Sequence, residues 1–289
     1  MFNISGATFI RDTFAGAFCV FESIANWLSI CDDITVLDCG STDGTLQVLQ
    51  EIASANPRIK VVQTHFSKVD AGAFADAAND CVRSWQREYG VVWYADEIPH
   101  ENLLRMLKER MTKDQAEGKP YDYALWSYQL RENFQVMKWP PHPVHRIGPK
   151  NNFVLADDGT NTKRVFGVDV ISNYNQGWFT KWGDFKADWT KIPTHEMLMD
   201  VGIIGGFIDT IYKRCALHAP MWHEQPNVEG APASKWVSEQ RANPNWSKTE
   251  TPYNIPHIMR WHVSRPTYDL RDELKQALKT GQVDGILGL

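Results

Sequence analysis

One segment constrains the fold more than any other. Residues 34–53 read ITVLDCGSTDGTLQVLQEIA: a β-branched and aliphatic run, then small polar residues, then apolar residues at helical spacing. The first run predicts a buried strand and the last part predicts an amphipathic helix. Gly40 and Gly44 permit tight backbone turns, and Ser41 is a typical helix-capping residue. The segment therefore predicts a strand that ends at Asp38 and passes through a tight turn into a helix.

The same alternation of strand and helix continues through the first half of the chain. Predicted strands cover 6–10, 34–38, 58–64 and 91–95, and predicted helices cover 14–29, 45–55, 71–88 and 100–111. Alternation at this spacing indicates right-handed crossovers and a mainly parallel sheet. The strands are almost continuously apolar, which is typical of a sheet covered by helices on both faces. We therefore predict an α/β fold.

The second half of the chain is less regular and rich in tryptophan. We predict a long strand at 121–130 and a last helix at 268–280, with proline- and glycine-rich segments between them. Several of the twelve tryptophans lie in this part. Their indole rings would fill a core or stack on a sugar or a base. We therefore divide the chain into two regions, 1–130 and 131–289, packed on one core.

The overall composition argues against several classes of protein. The 289 residues are 43% hydrophobic and 22% charged, as in ordinary soluble globular proteins. A net charge of −5 encodes no general attraction to nucleic acid or to an anionic membrane. No apolar segment approaches the ~18 residues that span a bilayer, and the first residues do not resemble an export signal. We expect a cytoplasmic protein without a transmembrane segment, in which the five cysteines are reduced.

Acidic side chains follow two of the predicted strands. Asp38 ends the second strand, and Asp96 and Glu97 follow the fourth. Ligands of open α/β sheets bind beyond the carboxyl ends of the strands, so these side chains share the expected ligand edge. Asp38 can accept hydrogen bonds from a base or a ribose, and the adjacent carboxylates suit Mg²⁺ or Mn²⁺. Each feature alone also fits an ordinary turn; together they favour a site for a nucleoside diphosphate and its metal.

These segments resemble a known family. ITVLDCGSTDGT resembles the VVDxGSTDGT signature of family 2 glycosyltransferases with the GT-A fold, and VVWYADEIPHE resembles their DADE metal motif. FIRD at 9–12 is similar to the first-strand motif, and AGAFADAANDCV at 71–82 is similar to the helix after the third strand. The matches follow the family's order. The resemblance implies a GT-A, Rossmann-like sheet flanked by helices, followed by a Trp-rich acceptor-side region.

The resemblance also implies a donor site and a metal site. The implied nucleotide-binding residues are Arg11, Asp12, Asp38, Ser41, Asp43 and Asn79. For the metal, Mn²⁺ or Mg²⁺, the implied ligands are Asp96 and the late histidine that often completes the shell in GT-A enzymes. His218, at the end of an apolar run, is the preferred histidine, and His223, His257 and His262 are the alternatives. Two residues depart from the family pattern. Tyr94 replaces the first aspartate of the metal motif, and Thr13 replaces the glutamate after the first strand.

The catalytic base is sought in the second half. Inverting transfer needs a carboxylate within hydrogen-bond reach of the acceptor hydroxyl. Residues 143–159, PVHRIGPKNNFVLADDG, resemble a segment of bacterial and phage family members, which implies Asp157 or Asp158 as the base, with Asp158 preferred. Three carboxylates of the Trp-rich stretch remain alternatives, namely Asp184, Asp188 and Glu196.

We therefore expect a glycosyltransferase that moves a sugar from a nucleoside diphosphate, preferably UDP, to an acceptor hydroxyl. Region 1–130 would bind the nucleotide sugar, and 131–289 would hold the acceptor and the base. A glycan, a lipid-linked sugar and a hydroxymethylated pyrimidine in phage DNA are candidate acceptors, and the net charge of −5 disfavours DNA. A nucleotidyltransferase and a non-catalytic sugar-nucleotide-binding protein are the alternatives.

Overall fold

Parallel strands from the first half of the chain form one side of a single sheet. The computed structural model describes residues 3–16, 18–65, 71–95, 97–99, 101–117, 123–129, 142–150, 202–204 and 270–287. In chain order its elements are β1 (Ser5–Ile10), α1 (Thr13–Gly16), α2 (Val20–Leu28), β2 (Asp33–Asp38), α3 (Thr45–Ala55), β3 (Ile59–Gln63), α4 (Ala71–Ser84), β4 (Tyr89–Tyr94), β5 (Glu97–Pro99), α5 (Glu101–Ala116), β6 (Tyr123–Gln129), β7 (His142–Pro149), β8 (Gly202–Ile204), α6 (Asp272–Thr280) and α7 (Asp284–Leu287).

The sheet has the strand order β3-β2-β1-β4-β7-β6-β8-β5. Strands β3, β2, β1 and β4 are parallel, and β7 pairs antiparallel with β4. In the register of the sheet Ile10 lies beside Asp38, and Phe9 lies beside Tyr94. The carboxyl ends of β1, β2 and β4 therefore meet at one edge. From β1 the chain adds β2 and β3 on one side of the sheet and then β4 on the other, so the strand order reverses at β1. The crevice at which such sheets bind ligands therefore opens between β1 and β4.

Apolar side chains cover both faces of this sheet, as its nearly continuous apolar strands require. On one face, Ala78 and Cys81 of α4, with Trp85 just after the end of that helix, share a core with Phe9 and Leu37. The main core lies on the other face and contains buried residues of α2, α3, α5 and α6. Successive residues of a strand point to opposite faces, so β1 and β2 contribute to both cores. The predicted α/β class, with a mostly parallel sheet flanked by helices, is confirmed.

Most predicted elements are present, with two informative differences. The predicted helix 14–29 is two helices, because α1 ends at Gly16 and the Phe18 amide donates back to the Thr13 carbonyl, 3.0 Å away. Strand β7 lies where we expected loops. The prolines of that stretch suggested irregular backbone because proline lacks an N–H, but Pro143 and Pro149 stand at positions paired with β6 and β4.

The C-terminal helix α6 packs against the first half of the chain. Its residues Leu274 and Leu278 are buried in the main core. The Asn56 side-chain amide, at the end of α3, donates to the Leu278 carbonyl at 2.6 Å. Lys275 and Lys279 each approach the Glu51 carboxylate to 2.5 Å. Thus β7 and α6, both from the predicted region 131–289, belong to the same sheet and core as region 1–130; the boundary itself stays a prediction.

Within the ranges given above, no helix combines the length and hydropathy needed to cross a membrane.

Candidate functional site

Asp38 occupies the end of β2 and organises the turn that follows. Its Oδ1 accepts hydrogen bonds from the amides of Gly40 and Ser41, at 3.1 and 2.9 Å. The residue is 1% exposed, and its Oδ2 is buried without a hydrogen-bond partner in the described part of the chain. A buried acceptor without a donor is costly, and a ligand that supplies an N–H or O–H would remove that cost. Asp38 is therefore placed to bind a donor group of a ligand.

Arg11 directly follows β1, the strand next to β2, which ends at Asp38. It follows Ile10, which is paired with Asp38 in the sheet. The Arg11 Nε is buried and has no hydrogen-bond acceptor among the described residues, although it lies 3.4 Å from Asp12 Oδ2. The carboxyl edge thus presents, from adjacent strand ends, a carboxylate oxygen without a donor and a guanidinium whose Nε contacts only the neighbouring Asp12 carboxylate by charge.

His65 belongs to the same edge and was not among the predicted site residues. It follows the end of β3 and is exposed. Gly40 has φ +96°, and a Cβ at that position would lie 2.9 Å from His65 Nδ1. A side chain at Gly40 would therefore be strained and would displace the imidazole. The indication in the sequence was its position after the third strand, at the edge where Asp38 ends the second.

Asp12 and Ser41 join the loop after β1 to the turn after β2. The Asp12 amide donates to Ser41 Oγ at 2.9 Å, and Asp12 Oδ1 accepts from the Thr42 amide at 2.7 Å. Asp12 has φ +48°, the one positive φ of a non-glycine residue in the described chain. Such a conformation is unfavourable for most residues, and aspartate is among the side chains that tolerate it best. The predicted site residues Asp12 and Ser41 are therefore in direct contact with each other.

Asp43 also joins the segment after β1 to the turn after β2. Its Oδ2 accepts from the Ala15 amide at 2.7 Å, and its Oδ1 accepts from the Thr45 hydroxyl at 2.6 Å. Partial burial by itself raises the pKa of Asp43, but hydrogen bonds from the Thr45 hydroxyl and from nearby amides outweigh burial and lower the pKa below its ordinary value. The carboxylate therefore stays charged in the folded protein at neutral pH. Thr45 was not predicted.

Asn79 and Cys39 complete the described neighbourhood. Asn79 is half-buried on α4, the helix that packs over β1, β2 and β4. Burial, more than the nearby Asp38 carboxylate, raises the pKa of the Cys39 thiol to about 12. Cys39 therefore behaves as a small apolar side chain, as do buried thiols in general. Four cysteines are buried and form no disulfide within the described ranges: Cys19, Cys31, Cys39 and Cys81.

The predicted metal edge is described in part. Tyr94 ends β4, and its amide donates to Glu97 Oε2 at 2.9 Å. Glu97 is buried in β5, and its carbonyl accepts from the Ser23 hydroxyl at 2.5 Å. One oxygen of the Glu97 carboxylate is thus engaged by the chain itself. No three His, Cys, Asp or Glu side chains of the described ranges converge as a metal site would require.

Several predicted site residues lie outside the described ranges. They are the predicted metal ligands Asp96 and His218, the predicted bases Asp157 and Asp158, and the alternatives Asp184, Asp188 and Glu196. Their roles stay predictions.

The fold and this edge define a class of protein: an α/β fold in which short polar turns follow parallel strands beside the point where the strand order reverses. The particular family follows from the sequence of the whole region. The family model "Glycosyl transferase family 2" matches residues 20–174, more than half of the chain. The chain belongs to glycosyl transferase family 2, as predicted.

Comparison with curated proteins returns no relative. Solved structures of S. aureus TarS are similar in fold. TarS 1–349 in complex with UDP is 10% identical, with a TM-score of 0.40 over 99% of this chain and 89% of that chain. TarS 1–349 in complex with UDP-GlcNAc is 15% identical, with a TM-score of 0.33 over 46% of this chain and 36% of that chain.

Proposed function

We propose that this chain transfers a sugar from a nucleoside diphosphate sugar, preferably a UDP-sugar, to the hydroxyl group of an acceptor. Family membership supports sugar transfer in general. The observation that carries the donor assignment is the buried Oδ2 of Asp38, which has no hydrogen-bond partner in the described part of the chain, at the strand end next to the one that Arg11 follows. The two groups stand at the carboxyl ends of β2 and β1, next to the crevice between β1 and β4.

Uracil suits such a pair of groups. Its ring carries one N–H flanked by two carbonyl oxygens, so a carboxylate can accept from the N–H while a guanidinium donates to a carbonyl. Hydrogen bonds that involve a charged group are the stronger kind. Here a carboxylate and a guanidinium would each form one such bond with uracil. The remaining predicted residues, Asp12, Ser41, Asp43 and Asn79, would line the rest of the donor site.

The diphosphate and the acceptor complete the proposal. Asp96 and His218 would hold Mn²⁺ or Mg²⁺, which supplies positive charge to the departing nucleoside diphosphate. Asp158, or Asp157, accepts the proton of the acceptor hydroxyl. The acceptor oxygen then forms a bond to the anomeric carbon as the bond to the diphosphate breaks, which inverts that carbon.

Replacement of Asp38 by asparagine tests the donor assignment. Asparagine Oδ1 can still accept from the Gly40 and Ser41 amides, so the turn persists, but an amide N–H₂ replaces the unpaired oxygen. We expect Asp38→Asn to weaken UDP binding about tenfold or more, the loss typical of a hydrogen bond to a charged group, as measured by calorimetry.

The matched control for this test is Asp33→Asn. Asp33 is the first residue of β2, and Asp38 is the last. The Asp33→Asn substitution should leave the affinity for UDP unchanged. GDP and dTDP titrated in parallel identify the base that the site prefers. An Asp38→Asn protein that folds and binds UDP as the wild type does would contradict the assignment.

Catalysis is tested separately from binding. Release of UDP from a panel of UDP-sugars, with Mn²⁺ and without it, distinguishes an enzyme from a non-catalytic sugar-nucleotide-binding protein. We expect release in the wild type and its loss in Asp96→Ala. Pyrophosphate as the product, formed from a nucleoside triphosphate and a sugar phosphate, would identify a nucleotidyltransferase instead.

A further inference from the structure

The segments that follow β1 and β2 are joined by hydrogen bonds between the side chains of one segment and the backbone amides of the other. We name this set the two-loop brace. Its members are Asp12 after β1 with Thr13, Phe14 and Ala15 of the adjoining α1, and Ser41, Thr42 and Asp43 after β2 with Thr45, the first residue of α3. We infer that Asp43 and Thr45 are positioning residues, which act on the nucleotide through Arg11 and the loop after β1. This inference rests on the proposed function.

The inner half of the brace is centred on the Thr45 hydroxyl. This hydroxyl donates to Asp43 Oδ1 at 2.6 Å and accepts from the amides of Thr13 and Phe14, at 3.0 and 3.4 Å. One donor and two acceptor positions are all that a threonine hydroxyl offers, so its bonding capacity is filled. Thr13 and Thr45 are both 0% exposed, so a ligand does not reach this hydroxyl.

Asp43 extends the inner half toward α1. Its Oδ1 also accepts from the Thr45 amide at 3.0 Å, and its Oδ2 accepts from the Ala15 amide. Three consecutive amides, from Thr13 to Ala15, are therefore held by side chains of the other loop. Both oxygens of the Asp43 carboxylate are engaged by the chain, which distinguishes this residue from Asp38, whose second oxygen is unpaired.

The outer half of the brace runs in the opposite direction. There Asp12, from the loop after β1, accepts from the amide and the hydroxyl of Thr42, at 2.7 and 3.2 Å. The Ser41 hydroxyl in turn accepts from the Asp12 amide. The positive φ of Asp12 is the conformation that these reciprocal bonds hold in place. Each loop thus fixes the backbone of the other.

Arg11 is the group whose position this arrangement determines. It lies between Ile10, the last residue of β1, and Asp12 in the outer half of the brace. Its Nε lies 3.4 Å from Asp12 Oδ2, so the brace also contacts its side chain. If the inner half is lost, the segment after β1 is no longer held at Thr13, and the Arg11 side chain can shift from its position at the carboxyl edge. A displacement of about 1 Å is enough to cost an interaction at a binding site most of its strength.

Thr45→Val tests the inference because valine has the shape of threonine without the hydroxyl. Thr45→Ser restores the hydroxyl and serves as the rescue variant. The matched control is Ser5→Ala at the opposite end of β1. The buried Ser5 hydroxyl also accepts from two consecutive amides, Gln86 and Arg87, at 2.9 and 3.0 Å. Thr45→Val and Ser5→Ala therefore remove the same type of contact at the two edges of the sheet.

We expect Thr45→Val to raise the Kd for UDP and the KM for a UDP-sugar about tenfold, while kcat at saturating donor stays within about threefold of the wild type. Thr45→Ser should return both constants close to their wild-type values. Ser5→Ala should lower the Tm about as much as Thr45→Val does and leave the Kd for UDP unchanged. Amide hydrogen exchange at 13–15 should be faster in Thr45→Val.

Three results would overturn the inference. The first is a folded Thr45→Val protein with wild-type KM; Asp43→Asn, measured in the same way, decides the matter if Thr45→Val does not fold. The second is an equal rise in KM for Ser5→Ala, which would mean that lost stability alone weakens binding. The third is a wild-type protein that neither binds UDP nor releases it from a UDP-sugar, and this result contradicts the proposed function as well.

Discussion

Asp43 shows how a single side chain in the GSTDGT turn combines a charge with a structural position. Desolvation opposes its ionised form, yet three hydrogen bonds to that form outweigh the cost and lower its pKa. A lowered pKa in the folded state means that the ionised carboxylate stabilises the fold. This contribution is complete above the unfolded-state pKa and is lost as the pH falls through the lowered pKa of the folded state.

The pH dependence of unfolding tests this account of Asp43. Asp43→Asn should be less stable than the wild type at neutral pH, because asparagine cannot accept the same bonds on both atoms. The difference should stay constant down to about pH 4, near the ordinary value of 3.8, and then shrink as the wild-type carboxyl becomes protonated. Urea unfolding of both proteins between pH 3 and 7 measures it. Two stability curves that remain parallel throughout this range would contradict the account.

At the scale of single residues, the sequence predicted the acidic positions better than their roles. Asp38 ends its strand as expected, because a β-branched apolar run followed by an acidic residue and a glycine leaves little choice of boundary. The contacts of Asp43 could not be predicted, since its partner Ala15 comes from another loop 28 positions earlier. Sequence patterns are local, whereas this contact depends on the parallel pairing of β1 with β2.

At the scale of elements, two types of contact attach α6 to the first half of the chain. The Asn56 side chain is 3% exposed, and it bonds the Leu278 carbonyl as well as the Arg58 amide. Glu51, by contrast, is an exposed carboxylate that pairs with two lysines of α6. A buried polar group that loses its hydrogen-bond partner destabilises the fold, whereas an exposed ion pair contributes little to stability. The helix should therefore depend on Asn56 much more than on Glu51.

Paired substitutions test that ranking. Asn56→Ala leaves the Leu278 carbonyl without its donor and should lower the free energy of unfolding by about 1–3 kcal/mol in urea titrations. Glu51→Gln should leave the urea midpoint nearly unchanged, and high salt should reduce what difference there is. If Glu51→Gln destabilises the protein as much as Asn56→Ala does, the ion pairs rather than the buried amide hold α6.

At the scale of the whole molecule, the sheet and the main core both use residues far apart in the chain. Strand β7 lies between β4 and β6, and α6 contributes Leu274 and Leu278 to the core beneath β1 and β2. Region 1–130 contains neither element. Without them β4 would have an unpaired edge and the main core would lose part of its cover.

A fragment of residues 1–130 should consequently fail to fold as an independent unit. We expect it to bind a dye specific for exposed apolar surface and to unfold without a cooperative transition, measured beside the full chain. A fragment that unfolds cooperatively at a urea concentration close to that of the full chain would show that region 1–130 is a separate domain.

The sequence by itself determined the parallel α/β class, the order of the first four strands and helices, and the acidic strand ends that carry the family signature. These depend on local periodicity, on glycine and on turn chemistry, which neighbouring residues specify. The tertiary structure decided which polar groups form hydrogen bonds within the chain and which have no hydrogen-bond partner among the described residues. That difference separates Asp43 from Asp38, and it arises because hydrogen bonds between loops exist only after distant strands have paired.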